Sequence, residues 1–173
     1  MMKQVLLALA TCSIYTVYCR LEIIPERVTV NYINEKHFYN YSIKVQRASR
    51  SSSYFLNIEM TTKQQWNNNV SIHLIFNEFL HNEYRRSVIE MHFKYCDSLK
   101  DDKFIGAVFQ KLGFKCPIPA GTKRIKNVNL SLEDFPNVFP IQKSRIDVEC
   151  LTTDTNETML RVYFYITFKN HKS

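Results

Sequence analysis

The side chains able to do chemistry in this chain are few and poorly spaced for it. Five histidines (His37, His73, His81, His92 and His171) stand apart along the sequence. No two have zinc-site spacing, and there is no Cys-x-x-Cys. Serine is abundant, but a nucleophile elbow needs Gly-x-Ser-x-Gly. The three glycines, Gly106, Gly113 and Gly121, cannot supply one. The same scarcity excludes the Gly-rich phosphate loops of nucleotide and dinucleotide sites. Two adjacent carboxylate pairs, Asp101–Asp102 and Glu133–Asp134, are the remaining acid–base candidates; the first suits a helix end and the second a loop. The sequence therefore predicts a chain that is not an enzyme and uses neither cofactor nor metal.

Charge points elsewhere. Lys and Arg number 23 against 16 Asp and Glu, a net charge of +7. The basic clusters (Lys123-Arg124-Lys126, Arg85-Arg86, Lys143 with Arg145, and Arg47 with Arg50) are scattered through turns. They read as a solvated face that aids solubility or attracts anionic lipid head groups, rather than as a nucleic-acid site.

The N-terminus carries an address. Lys3 precedes an uncharged run, Val5 to Tyr18, too short for a membrane anchor. Val17 and Cys19 suit the −3 and −1 positions of a signal peptidase site. The expectation is a signal peptide over residues 1–19 and a secreted single domain over 20–173. Sequons at Asn40, Asn69, Asn129 and Asn156 fit that route as N-glycosylation candidates. Secretion leaves Cys96, Cys116 and Cys150. Cys96 and Cys116 are the nearest pair, and closing that loop would contribute roughly 3 kcal/mol on the chain-entropy model. Cys150 falls on an inward strand position; a cleavage after Ser13 would leave Cys19 to pair with it.

Most of the chain alternates apolar and polar residues with period two, as half-buried strands do. Eight strands are expected on these residues: Val28–Tyr32; Tyr39, Tyr41, Ile43 and Val45; Leu56–Met60; Val70–Phe76; Ile89–Tyr95; Val128, Leu130 and Leu132; Ile146–Cys150; and Leu160–Phe168. Polar opposite faces, which carry His73 and His92, mark antiparallel sheets. One helical period intervenes: Ile105, Val108, Phe109 and Leu112 fall at i, i+3, i+4 and i+7. The spacing predicts a helix over 99–112, with Ser98 and Asp101 as a capping box and Gly113 as its C′ residue. The segments 48–53, 64–68 and 135–140 read as turns and loops. The fold class is mainly β: a two-sheet antiparallel sandwich with one short helix between Cys96 and Cys116. Its 12 Phe, 10 Tyr and one Trp would line either a dry core or a ligand cavity, and the pattern suits both equally.

A set of local runs narrows this. They are Asn69-Val70-Ser71-Ile72-His73-Leu74, then Ile89-Glu90-Met91-His92-Phe93-Lys94-Tyr95-Cys96, then Phe114-Lys115-Cys116-Pro117 with Gly121, then Lys126-Asn127-Val128 and the 135–140 loop. Together they resemble a large insect family of small secreted proteins that includes the chemosensory protein B (CheB) group. That family is similar in turn to the ganglioside activator and the ML lipid-recognition domains. The resemblance runs from Asn69 to Phe168. It implies an ML-like, immunoglobulin-like β-sandwich opened into a cup that takes a lipid, fatty acid, hydrocarbon or pheromone-like molecule. Cys96 and Cys116 match the family's disulfide, and Pro117 and Gly121 its following turn. Phe104, Ile105, Val108 and Phe109 then become candidates to line the cup. An anionic membrane surface is a further partner. The competing class is a closed sandwich that binds another protein through the 135–140 loop.

Overall fold

The computed structural model describes residues 19–47, 49, 52–103, 105–129 and 140–172. Residues 1–18 of the expected leader, Phe104, the Glu133–Asp134 pair and all but Pro140 of the 135–140 loop lie outside them. The described residues form eight strands: β1 (Cys19–Ile33), β2 (Phe38–Gln46), β3 (Phe55–Thr62), β4 (Val70–Leu80), β5 (Glu83–Lys94), β6 (Gly121–Val128), β7 (Lys143–Thr152) and β8 (Thr158–Lys172). Two short helices, α1 (Tyr95–Asp101) and α2 (Ile105–Lys111), stand between β5 and β6. Every pairing is antiparallel, giving a five-stranded sheet in the order β1-β8-β7-β4-β5 and a three-stranded sheet β2-β3-β6. The expected class, a mainly β two-sheet sandwich, is what the chain adopts.

Register carries the alternation from strand to strand. Across the large sheet, Phe93, Ile72, Cys150, Leu160 and Ile33 form one inner row, and Met91, Leu74, Val148, Val162 and Val30 form the next. Phe76, Ile146, Phe164 and Val28 follow. A slip of one residue in any strand would turn such a row outward, so burial pins the register. The β4–β5 hairpin closes on His81 and Asn82, both with positive φ (50° and 66°), the backbone of the two-residue turn whose twist suits a hairpin.

One strand expectation needs correction. Alternation puts Tyr39 on the inward parity of β2, but it is 75% exposed. A register shift between Phe38 and Asn40 turns it out, and Phe38 takes the inner position. Of the strand expected on Val128, Leu130 and Leu132, only Val128 is described, as the last residue of β6, which begins at Gly121; Leu130 and Leu132 lie outside the described residues. Within β6, Thr122, Lys123 and Arg124 pair with Thr61, Met60 and Glu59. Edge strands tolerate such polar sequences because only one side is paired.

The helical segment is broken where one helix was expected. Asp102 ends α1, and its Oδ1 accepts from the Ile105 and Gly106 amides at 2.6 and 3.4 Å. The carboxylate satisfies the first orphan donors of α2 and thereby competes with a continuous helix. Ser98 is no cap: it lies inside α1 and donates to the Tyr95 carbonyl at 2.8 Å. The start of α1 is served from another loop, where Asn68 Oδ1 accepts from the Cys96 and Asp97 amides at 3.0 and 3.2 Å. Gly113 (φ 78°) closes α2 as expected, through Gly113 N–H to Gln110 O and Phe114 N–H to Phe109 O. Gly106 sits where a Cβ would run into the Ser98 carbonyl, so its missing side chain lets α2 lie directly on α1.

Candidate functional site

The two sheets do not close on each other. Between them lies a cavity of about 210 Å³, partly open to the outside. It is larger than the roughly 150 Å³ engineered apolar cavity known to stay dry and admit benzene. The large sheet supplies the three central strands of its rows, including Leu74, Phe76, Ile146, Val148, Val162 and Phe164; the small sheet supplies Tyr41, Ile43, Leu56, Ile58 and Met60. The inward side chains of Ile146, Val148 and Phe164 are only half-buried although their strands are interior to the sheet. Inner residues of a dry sandwich would be covered by the facing sheet. Here the cavity takes that place.

The helical segment walls one flank. Ile105, Val108, Phe109 and Leu112 all stand on the cavity wall, with Phe114 just beyond. Phe109 meets Phe93 of β5 and Phe114 edge-on, at centroid distances of 6.1 and 5.8 Å. Cys96 is disulfide-bonded to Cys116, with their Cα atoms 5.4 Å apart, so the two ends of the helical segment are tied together. The bond, the Asp102 cap and the Gly106 contact hold α2 in place. Of the four cup-lining candidates, three are thus located on the wall, and Phe104 is outside the described residues.

One end of the cavity is aromatic. Tyr41, Phe38, Trp66 and Tyr95 form a chain of edge-on contacts, with centroids 6.0, 5.7 and 6.2 Å apart in turn. The sequence pattern puts Trp66 in a turn over 64–68. It is instead 3% exposed and held by two backbone hydrogen bonds to Ile118, each 2.9 Å. Its polar neighbours in sequence hid it, since neither period applies in a connecting segment; its being the sole tryptophan was the one available signal. Tyr95 donates its hydroxyl to the Lys115 carbonyl at 2.9 Å. The Trp66 indole Nε1 is buried with no acceptor among the described residues, a state that costs about 1–3 kcal/mol.

Burial decides the electrostatics of this end. It raises the Tyr41 hydroxyl above its ordinary range, with the neighbouring Cys150 adding to the shift. It also pushes the Cys150 thiol up to about 12, helped by the charge of Glu149. Cys150 is a free, buried thiol without nucleophilic character at neutral pH. Pairing with Cys19 is excluded by register. Both cysteines lie across from β8, Cys150 opposite Leu160 and Cys19 opposite Lys172, so about 40 Å of strand separates them. No charged side chain lines the cavity among the described residues.

The other titratable groups lie outside. His73 and His92 face each other across β4 and β5 on the outer surface, ring centroids 4.2 Å apart. Partial burial, and then His92, lower the His73 pKa. Among the described residues no three potential metal ligands cluster. Asn40, Asn129 and Asn156 are exposed. Asn69 is half-buried, its side-chain amide donating to the Gln65 carbonyl at 3.2 Å and its Oδ1 accepting from the Asn67 amide at 2.9 Å.

No protein-family profile matches the chain, and no curated protein matches it in sequence. Among solved structures, it is similar to chicken MD-1 complexed with lipid IVa, with a TM-score of 0.39 and 11% identity over 86% of this chain and 90% of that one. A superposition that loose carries no functional weight, and the fold stands on the strand pairing described above.

Proposed function

We propose that this chain is a secreted, non-enzymatic binding protein for a lipid or other small hydrophobic ligand. The observation that carries the reading is the cavity of about 210 Å³ between the sheets, walled by apolar side chains from both sheets and α2. Each methylene moved from water into such a site contributes about 0.8 kcal/mol. Ordering the ligand offsets part of that gain. Ile105, Val108 and Phe109 would contact the ligand from the helical side.

The finer parts of the reading rest on sequence. They are a leader over residues 1–19, one domain over 20–173, glycans at one or more of Asn40, Asn69, Asn129 and Asn156, and kinship with the insect CheB group and a role in chemosensation. The scattered basic residues favour delivery at an anionic membrane surface.

Native mass spectrometry of the protein secreted from insect cells, before and after organic extraction, tests the reading. An adduct of a few hundred daltons that leaves on extraction supports a carrier. A bare glycoprotein that accepts no fatty acid, sterol or hydrocarbon refutes it and directs the search to protein partners.

A further inference from the structure

Four side chains on the cavity wall carry a hydrogen-bond donor among the described residues: Tyr41, Trp66, Tyr95 and Cys150. Three of them are engaged, sealed or weak. The Tyr95 hydroxyl donates to the Lys115 carbonyl at 2.9 Å. The Trp66 indole nitrogen is sealed from any open space. Cys150 is buried, and a thiol is a weak donor. Tyr41 differs from all three. It is half-buried, and its hydroxyl has no partner among the described residues. That oxygen is also absent from the sealed, unpaired atoms, which are His37 Nε2, Thr62 Oγ1 and Trp66 Nε1.

The surroundings say which space the hydroxyl meets. Tyr41 belongs to β2 of the small sheet, and the Cys150 sulfur that acts on it belongs to β7 of the large one. The ring therefore reaches across the gap between the sheets. Burial raises its pKa, so the hydroxyl opens to the cavity and not to bulk water, and it keeps its proton at neutral pH. Phe38 meets the ring edge-on at 6.0 Å, and Met60 is its neighbour on β3. Away from Tyr41, the wall residues of β8 from Leu160 to Ile166 are all apolar and span about 20 Å. An ionised head group here would lose its water and find no charged partner among the described residues. An uncharged oxygen would find a donor in place.

We propose that the Tyr41 hydroxyl is the polar contact of the ligand site, donating to an uncharged carbonyl oxygen, as of a ketone or ester, on an otherwise hydrocarbon ligand whose chain runs along β8 toward Ile166. This rests on the cavity being a ligand site and names the class of molecule it takes.

Tyr41→Phe removes the hydroxyl and keeps the ring. Extracted parent and variant are titrated with decane and with 2-decanone carrying 13C at the carbonyl, each delivered from cyclodextrin. The ketone-to-decane affinity ratio should be about tenfold higher in the parent, the worth of one buried hydrogen bond. The carbonyl resonance of bound ketone should lie further downfield in the parent than in Tyr41→Phe. The empty variant should unfold at the same urea concentration as the parent or a higher one, because an unbonded hydroxyl leaves the interior. Equal ratios and equal carbonyl positions in the two proteins would overturn the proposal. If Tyr41→Phe does not fold, the carbonyl resonance in the unaltered protein decides: a position matching 2-decanone dissolved in decane would overturn it, and a downfield one would support it. Failure of both probes to bind the parent would remove the carrier reading itself, a different result from binding without discrimination.

Discussion

Val148→Phe separates a standing cavity from a dry core. Val148 lies on β7, in the middle of the five-stranded sheet, between Leu74 and Val162 in its row. It is half-buried and faces the cavity. The substitution adds four ring carbons at that point. In a close-packed core, the excess volume would force neighbouring side chains off their rotamers and cost about 1–3 kcal/mol. In an empty cavity, the same carbons fill space and leave water. At about 0.8 kcal/mol per carbon the upper bound is a gain of about 3 kcal/mol, or roughly 6–12 °C in Tm for a chain of this size. Urea unfolding of the extracted protein measures the change in midpoint, and native mass spectrometry measures loading in parallel. The structure requires unchanged or raised stability together with reduced ligand uptake. Destabilisation by 1–3 kcal/mol would show that the sheets meet in solution and would refute the cavity argument.

Other consequences are smaller and independent. Phe109→Asp should abolish ligand loading while leaving secretion intact, because it puts an unpaired carboxylate on the wall of α2; loss of secretion instead would mean that Phe109 belongs to the fold. Gly106→Ala should destabilise by about 1–3 kcal/mol in chemical denaturation, since its Cβ meets the rigid Ser98 carbonyl of α1; an unchanged midpoint would deny the close approach of α1 and α2. Replacing Cys96 and Cys116 together by serine should cost about 3 kcal/mol through the reopened loop, read by the same denaturation. The thiol of Cys150 is raised from about 9 in the open chain to about 12 in the fold. Its contribution to stability is complete below pH 9 and is lost as pH rises toward 12, because only the unfolded chain then holds a thiolate. Comparing the pH dependence of unfolding between the parent and Cys150→Ala over pH 8.5–10.5 checks this, and parallel curves would contradict it.

The residues themselves settled more of the architecture than of the site. Alternation in Ile72, Leu74 and Phe76, or in Leu160, Val162 and Phe164, states which side chains face inward whatever the partner strand, because successive residues of a strand must point to opposite faces. The helical period at Ile105, Val108, Phe109 and Leu112, and Gly113 after it, are equally local, and so is the absence of any catalytic spacing. Strand partners, the exclusion of Cys19 from Cys150 and the outward turn of Tyr39 are different in kind. They depend on which strands pair and where a bulge falls, and residues far apart in sequence decide that. The cavity lies furthest from the sequence. The same inner faces could pack against each other or stand apart, and the side-chain pattern is identical in both cases. The space between the sheets is bounded by strands that pair across long stretches of sequence and by the helical segment on one flank. Only the folded chain brings those elements together around one apolar space.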